Sequence, residues 1–175
     1  VLSPPLLTML VGRRLRQKLG ERERIAFNLA TSWVVPDTFG DRDDVVGDGP
    51  VVMTPVGYSK IKPIMHADSR IAFGAEHSGH YMFRDFWGAD SGMMAALYVL
   101  ELAAELHARG RTLSEELEAA RGRYFQSGEI NFQLPPERPV ESVIEKAVEM
   151  FRDEAARIYV VTKDGCVQVD SYPPE

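Results

Sequence analysis

The stretch Arg70-Ile71-Ala72-Phe73-Gly74-Ala75-Glu76-His77-Ser78-Gly79-His80 decides how this chain is read. Arg70 to Phe73 reads as a short buried strand, too brief for a helix and closed by glycine. It runs directly into a loop holding a carboxylate, a hydroxyl and two imidazoles within the five residues from Glu76 to His80. Glycines on both sides let a backbone approach a ligand closely. In an α/β sheet, ligands sit beyond the carboxyl ends of the strands. A strand opening into such a loop therefore places a candidate binding site at the edge of a sheet.

Upstream, Val51-Val52-Met53-Thr54 reads as a second strand after the turn-rich Gly47-Asp48-Gly49-Pro50. Between the two strands, Ser59 to His66 suits a short helix whose start Pro63 limits. Ile25 to Leu29 is another buried strand, and Pro36 to Gly40 break whatever follows it. At the start of the chain, Ser3 suits an N-cap and Pro4 the first helical position. Leu6, Leu7, Leu10, Val11 and Leu15 make an apolar stripe at helical spacing, and Gly20 suits the C′ position. Arg13, Arg14, Arg16 and Lys18 then read as a solvated helix end favoured by the helix dipole.

Downstream, Asp90 or Ser91 caps a long helix with Met93, Ala96, Leu97, Leu100, Ala103, Ala104 and His107 on one stripe. Gly110 ends it, and Met93 and Met94 read as core filler. Thr112 and Glu115 have capping-box spacing for a helix over Leu113 to Ala120. Strands alternating with helices predict an α/β fold, with a mixed, mainly parallel sheet flanked by helices. A proline-rich stretch, Leu134 to Pro139, follows, and the expected domains are 1–125 and 126–175. In the second, Val140, Val143, Ile144, Ala147, Val148 and Phe151 give an amphipathic helix. Ile158 to Val161 and Cys166 to Val169 read as strands joined by the turn Lys163-Asp164-Gly165. This partial α+β tail of about 50 residues is marginal as an independent domain.

Composition narrows the function. The 175 residues carry 20 Lys and Arg against 26 Asp and Glu, a net charge of −6. Nucleic-acid binding needs clustered cations to meet phosphates, so it is not expected. A lone cysteine, Cys166, excludes a disulfide scaffold and a multi-cysteine zinc site, and fits a reducing cytoplasm. It reads as a buried structural thiol. No apolar run has membrane-span length, and Pro4 and Pro5 interrupt any signal-peptide pattern. The chain begins at Val1 without Met and stops at Pro173-Pro174-Glu175, so a fragment of a longer protein is expected.

The chemistry of the loop suits a sugar. A carboxylate accepts hydrogen bonds from vicinal hydroxyls, and a neighbouring serine can donate or accept. A satisfied structural turn is the alternative. A third reading has His77 and His80 ligating zinc with Glu76, but no further strong ligand stands nearby in sequence. There is no nucleophile elbow and no Walker phosphate loop. Asp41, Asp43 and Asp44 read as a solvated acidic loop.

Gly74-Ala75-Glu76-His77-Ser78-Gly79-His80 resembles the GGExSGH sugar-recognition loop of the α-D-phosphohexomutases, of the phosphomannomutase/phosphoglucomutase type. The likeness continues through Tyr81 to Asp85, Ala89-Asp90-Ser91-Gly92, Val56-Gly57 with Ile61-Lys62, and Ser127-Gly128-Glu129-Ile130-Asn131. Asp164-Gly165 and Tyr172-Pro173 extend it to nearly the whole chain. The resemblance implies that residues 1 to about 125 are a third, sugar-recognition domain. The tail is then the first part of a fourth, C-terminal domain.

The implied reaction moves a phosphoryl group between the 1- and 6-positions of a hexose. A phosphoserine elsewhere donates it, Mg²⁺ elsewhere assists, and a hexose 1,6-bisphosphate is the intermediate and activator. By the same resemblance Glu76 and Ser78 hold the sugar 3- and 4-hydroxyls. His80 serves as phosphate contact or proton carrier, and Lys62 faces substrate oxygens. Glucose and mannose differ at C2, so Glu76 and Ser78 would not discriminate them.

The chain departs from the family pattern at Ala30, where an Arg is usual, and at Tyr58, where a His is usual. Ala75 replaces a glycine and His77 an aliphatic residue. No TASHNP-like serine loop, DGDGDR-like metal loop or RPSNTEP-like phosphate loop is present. The isolated chain is thus expected to be inactive, with the remaining mutase domains in a parent protein. The rival expectation is a naturally truncated, non-catalytic module that binds a phosphosugar or a partner chain.

Overall fold

Residues 2–40, 45, 47–124, 133–152, 157–162 and 165–171 are described by the computed structural model. The acidic Asp41, Asp43 and Asp44, the Ser127 to Asn131 motif, Lys163-Asp164 and Tyr172-Pro173 lie outside the described residues, as does the side chain of Cys166. The chain divides into two units, Val1–Gln126 and Ser127–Glu175.

In the first unit a helix, α1 (Pro4–Leu19), starts with proline in its first turn, where no N–H partner is needed. Ser3 precedes it but makes no side-chain cap; its carbonyl accepts from Leu7 N at 3.0 Å. Met9, Leu10, Val11 and Leu15 bury the inner face. Strand β1 (Arg24–Asn28) is followed by the short helix α2 (Val34–Phe39). The break expected at Pro36 does not occur. This proline sits in the first turn of α2, where the missing N–H costs nothing.

Strand β2 (Val51–Thr54), helix α3 (Tyr58–Ala67) and strand β3 (Ile71–Ala75) come next. Pro63 does not limit the start of α3 but lies inside it. The helix begins one residue after Gly57, whose carbonyl accepts from Lys60 N and Ile61 N. Burial of Ile61 and Met65 on the sheet holds the helix through the lost Pro63 bond.

Two further strands, β4 (Tyr81–Phe83) and β5 (Ala89–Asp90), are not foreshadowed by the sequence pattern. With three residues and two, neither is long enough to show a period. The sheet order is β2-β1-β3-β4-β5. β1 pairs in parallel with β2 and β3, whereas β4 and β5 add antiparallel. The mixed sheet flanked by helices is thus the expected class.

Helices cover both faces, so β1 and β3 are buried at every residue. On one face Ala26, Ile61, Met65, Ile71 and Met82 form a cluster under α3. Gly74 lies in the middle of this contact. A Cβ there would come within 2.8 Å of both Ile61 Cγ2 and Met65 Sδ, so only glycine lets α3 settle on β3. On the other face Phe73 packs on Phe83 with centroids 5.0 Å apart, and Phe83 stacks on Tyr98 at 5.7 Å.

Tyr98 belongs to α4 (Gly92–Ala108), which the Ser91 hydroxyl caps by accepting from Met94 N at 3.2 Å. The stripe expected to face the core does not. Met93, Leu97 and Leu100 are 73%, 58% and 64% exposed, while Ala95 and Leu106 are buried. Met93 is therefore not core filler. This helix is apolar on most sides, so its sequence period offers two faces. Tyr98 against Phe83 and the ion pairs to α1 select the other one.

Those ion pairs also revise the reading of the basic run. Arg14 pairs with Glu101 at 3.2 Å and with Glu105, and Lys18 pairs with Glu101 at 2.6 Å. Arg14 is only 11% exposed. Arg14 and Lys18 thus clamp α1 to α4, while Arg13 stays exposed beside Glu116 and Arg16 turns to Glu21 and the Phe39 carbonyl. A final helix of this unit, α5 (Leu113–Glu118), carries both capping-box bonds: Glu115 N donates to Thr112 Oγ1, and Thr112 N donates to Glu115 Oε2.

In the second unit α6 (Val140–Phe151) forms where the amphipathic pattern stands, although none of its residues is buried. β6 (Arg157–Thr162) and β7 (Gly165–Ser171) pair antiparallel, with Thr162 opposite Gly165.

Candidate functional site

Because β1, β2 and β3 run parallel, their carboxyl ends share one edge of the sheet. Asn28 pairs with Thr54 there, and Phe27 with Ala75. The expected loop leaves this edge as the turn of the β3–β4 hairpin. Glu76 N donates to the His80 carbonyl at 3.0 Å, and Gly79 N to the Glu76 carbonyl at 3.1 Å. Gly79 takes a φ of 90°, a backbone conformation that favours glycine.

Glu76 is only 3% exposed. Its Oε1 accepts from Gly57 N at 2.7 Å and from Asn28 Nδ2 at 3.0 Å. Asn28 is itself saturated: its Oδ1 accepts from Thr31 Oγ1 at 2.8 Å and from His77 N at 3.3 Å, and its Nδ2 lies 3.2 Å from His77 Nδ1. A buried carboxylate needs such donors to replace the hydration it loses. Oε2 has no bonding partner among the described residues and is not fully enclosed. It is the open acceptor of the site.

His80 is exposed beside this carboxylate. Its Nδ1 lies 2.5 Å from Asp90 Oδ2, and Asp90 Oδ1 accepts from Tyr81 N at 2.8 Å. The hydrogen bond to Asp90 raises the His80 pKa above its ordinary value; the charges of Asp90 and Glu76 add to this, and burial opposes it. The Tyr58 ring lies 6.4 Å from the His80 ring, and Lys62 Nζ stands 5.6 Å from the Tyr58 centroid.

The hairpin turn thus brings Glu76, Ser78 and His80 together, with Ser78 exposed. Lys62 enters from α3 and reaches this group through Tyr58. Sequence reasoning missed Asn28, Gly57 and Asp90 as parts of the site. An Asn as the last residue of a buried strand was the available signal for Asn28. Nothing in sequence spacing ties Gly57 N to Glu76. Of the departures, Ala30 is exposed just beyond β1 and Ala75 is fully buried at the end of β3. His77 is occupied with Asn28 and His80 with Asp90, so the two imidazoles do not converge on one point. Among the described residues no group of three or more His, Cys, Asp or Glu could hold a metal ion.

The family model for the phosphoglucomutase/phosphomannomutase α/β/α domain III matches residues 5–124. The chain belongs to that family. A phosphomannomutase of Escherichia coli is 38% identical over 101 residues, which is 58% of this chain and 21% of the relative. One from Methanocaldococcus jannaschii is 28% identical over 153 residues, or 87% and 31%. A protein of Xanthomonas campestris pv. campestris named for phosphohexose mutases is 37% identical over 83 residues, or 47% and 18%.

A crystal structure from Thermus thermophilus, provisionally assigned as a phosphomannomutase, superposes with a TM-score of 0.51. At 24% identity it covers 69% of this chain and 25% of its own, and it bears on the fold alone. The chain spans between 18% and 31% of the length of these curated relatives. In this phosphoglucomutase/phosphomannomutase domain III, the β3–β4 hairpin and the β1 and β2 ends are the elements that meet at the candidate site.

Proposed function

We propose that the parent protein interconverts hexose 1-phosphate and hexose 6-phosphate, and that this chain supplies its sugar-binding loop. The supporting observation is the Glu76 carboxylate, buried and held by Gly57 N and Asn28 through Oε1 while Oε2 stays open. Such a carboxylate accepts from two neighbouring sugar hydroxyls without first having to be ordered, which lowers the cost of binding. Ser78, exposed on the same turn, donates to or accepts from one of them. A hexose held by its 3- and 4-hydroxyls presents either end to the same phosphoryl donor when it turns over. His80 and Lys62 lie on the side where a phosphate or reacting hydroxyl would stand. There His80 takes or gives a proton, and Lys62 contributes positive charge.

The phosphoserine donor, the bisphosphate intermediate and Mg²⁺ belong to the proposed parent reaction, in which the cation would neutralise phosphate charge. The described residues do not make a site for that cation. Residues 1–125 then act as the sugar-recognition domain, and 126–175 as the start of a C-terminal domain that belongs with the remaining mutase domains. The reading places the parent in the cytoplasm. No helix among the described residues is long and apolar enough to cross a membrane.

Calorimetric titration with glucose 1-phosphate and mannose 1-phosphate tests the site. Both sugars bind the wild-type chain with similar affinity, and Ser78→Ala and Glu76→Gln each weaken binding by roughly tenfold, about 1.4 kcal/mol. Unchanged affinity in Ser78→Ala together with Glu76→Gln refutes the assignment. In a coupled assay with Mg²⁺ and hexose bisphosphate the isolated chain gives no turnover. Clear turnover would contradict the need for other domains. A non-catalytic module would bind the same sugars from a native polypeptide of 19.6 kDa.

A further inference from the structure

We propose that Asp90 is the positioning residue of His80: it fixes the imidazole in the Nδ1–H tautomer and leaves Nε2 as the ring nitrogen that meets the ligand. The role of Nε2 rests on the sugar-site reading above; the pairing itself does not.

A carboxylate only accepts, so the 2.5 Å contact between Asp90 Oδ2 and His80 Nδ1 requires the proton on Nδ1. Asp90 cannot easily follow a moving ring, because it is held from three directions. Its Oδ1 accepts from Tyr81 N at 2.8 Å. Its backbone pairs with Met82 in the β4–β5 ladder. The next residue, Ser91, donates its N–H to the Tyr81 carbonyl at 2.8 Å and caps α4 through its hydroxyl. Capping by Ser91 rather than Asp90 is what releases the Asp90 carboxylate for His80.

The other end of the hairpin turn is fixed as well, since Glu76 N bonds to the His80 carbonyl. A histidine that is half exposed, 49% by its side chain, is therefore oriented by its neighbours rather than free to rotate. The groups facing it are Asp90 from β5, Glu76 from the turn, and Tyr58 with Lys62 behind it from α3. A neutral Nδ1–H imidazole accepts a hydroxyl proton at Nε2. The protonated ring, which Asp90 and Glu76 favour, returns that proton from the same atom. One fixed orientation serves both directions of a reversible transfer.

Long-range ¹H–¹⁵N spectra of the ¹⁵N-labelled 175-residue protein read the tautomer directly, with His80→Gln assigning the signals. The wild type shows neutral His80 with Nδ1 protonated and Nε2 bare. Asp90→Ala shifts the neutral ring toward the Nε2–H form. Asp90→Asn keeps an acceptor for Tyr81 N but removes the charge, and it lowers the His80 titration midpoint while the amide spectrum stays folded. A wild-type His80 in the Nε2–H form, or a midpoint unmoved in folded Asp90→Asn, overturns the proposal. The same sample with glucose 1-phosphate separates the two readings. An Nδ1–H tautomer with no Nε2 response to sugar supports the pairing and counts against the sugar site.

Discussion

Glu76 shows how one side chain joins stability to binding. Its Oε1 ties the start of α3, through Gly57 N, to the end of β1, through Asn28. Removing the side chain altogether takes the acceptor from Gly57 N and from one of the two Asn28 Nδ2 contacts, at a cost of roughly 1–3 kcal/mol. Gln keeps an acceptor there, which makes it the better probe of ligand binding. Asp68 acts at the opposite edge of the sheet. Its carboxyl accepts from Arg70, and its Oδ2 lies 2.7 Å from the nearly buried Arg24.

Hydrogen bonding first from Arg70 and then from Arg24 holds the Asp68 pKa well below the usual carboxylate range, against some desolvation. A depressed folded pKa stabilises the fold above the unfolded value of about 4, and that stabilisation is lost as pH falls below it. Asp68→Asn should therefore lower stability at neutral pH and flatten its loss on acidification. Urea unfolding at pH 7 and pH 3 measures both. An equal pH dependence in the variant would contradict the assignment.

At the scale of elements, the β3–β4 hairpin carries both core and site. Phe73 on β3 packs between Tyr81 and Phe83 of β4, with centroids 6.1 and 5.0 Å away. Phe73→Ala should cost roughly 3–5 kcal/mol. Chemical denaturation reads that loss, and a loss below about 1 kcal/mol would mean the hairpin is not anchored there. Much of this architecture is legible in the sequence. Ile25-Ala26-Phe27, Val51-Val52-Met53 and Ile71-Ala72-Phe73 are short apolar runs at the hearts of β1, β2 and β3, and α1, α4 and α5 begin where caps and proline predict.

The unread elements have physical causes. β4 and β5 are too short to carry a period. Pro36 and Pro63 read as breakers, but a first-turn position spares one, and packing of Ile61 and Met65 offsets the other. For α4, an almost uniformly apolar helix leaves its buried face to tertiary contacts. Glu76, Ser78 and His80 are legible because they are neighbours in sequence. Asn28 and Asp90 are not, because only the strand order β1-β3-β4-β5 brings them to the turn.

At the scale of the whole molecule, domain III of the phosphoglucomutase/phosphomannomutase family accounts for residues 5–124. The parallel strands β2, β1 and β3 carry three chain ends to one edge, and every proposed sugar contact lies on that edge or on α3 beside it. The central claim is that this edge binds a hexose phosphate. Amide chemical-shift mapping of the ¹⁵N-labelled chain during titration with glucose 1-phosphate tests it most directly. Saturable shifts are expected at Gly57 and from Glu76 to His80, with the binding midpoint raised roughly tenfold in Ser78→Ala. Saturable shifts centred on any other part of the chain, with that turn unmoved, would contradict it.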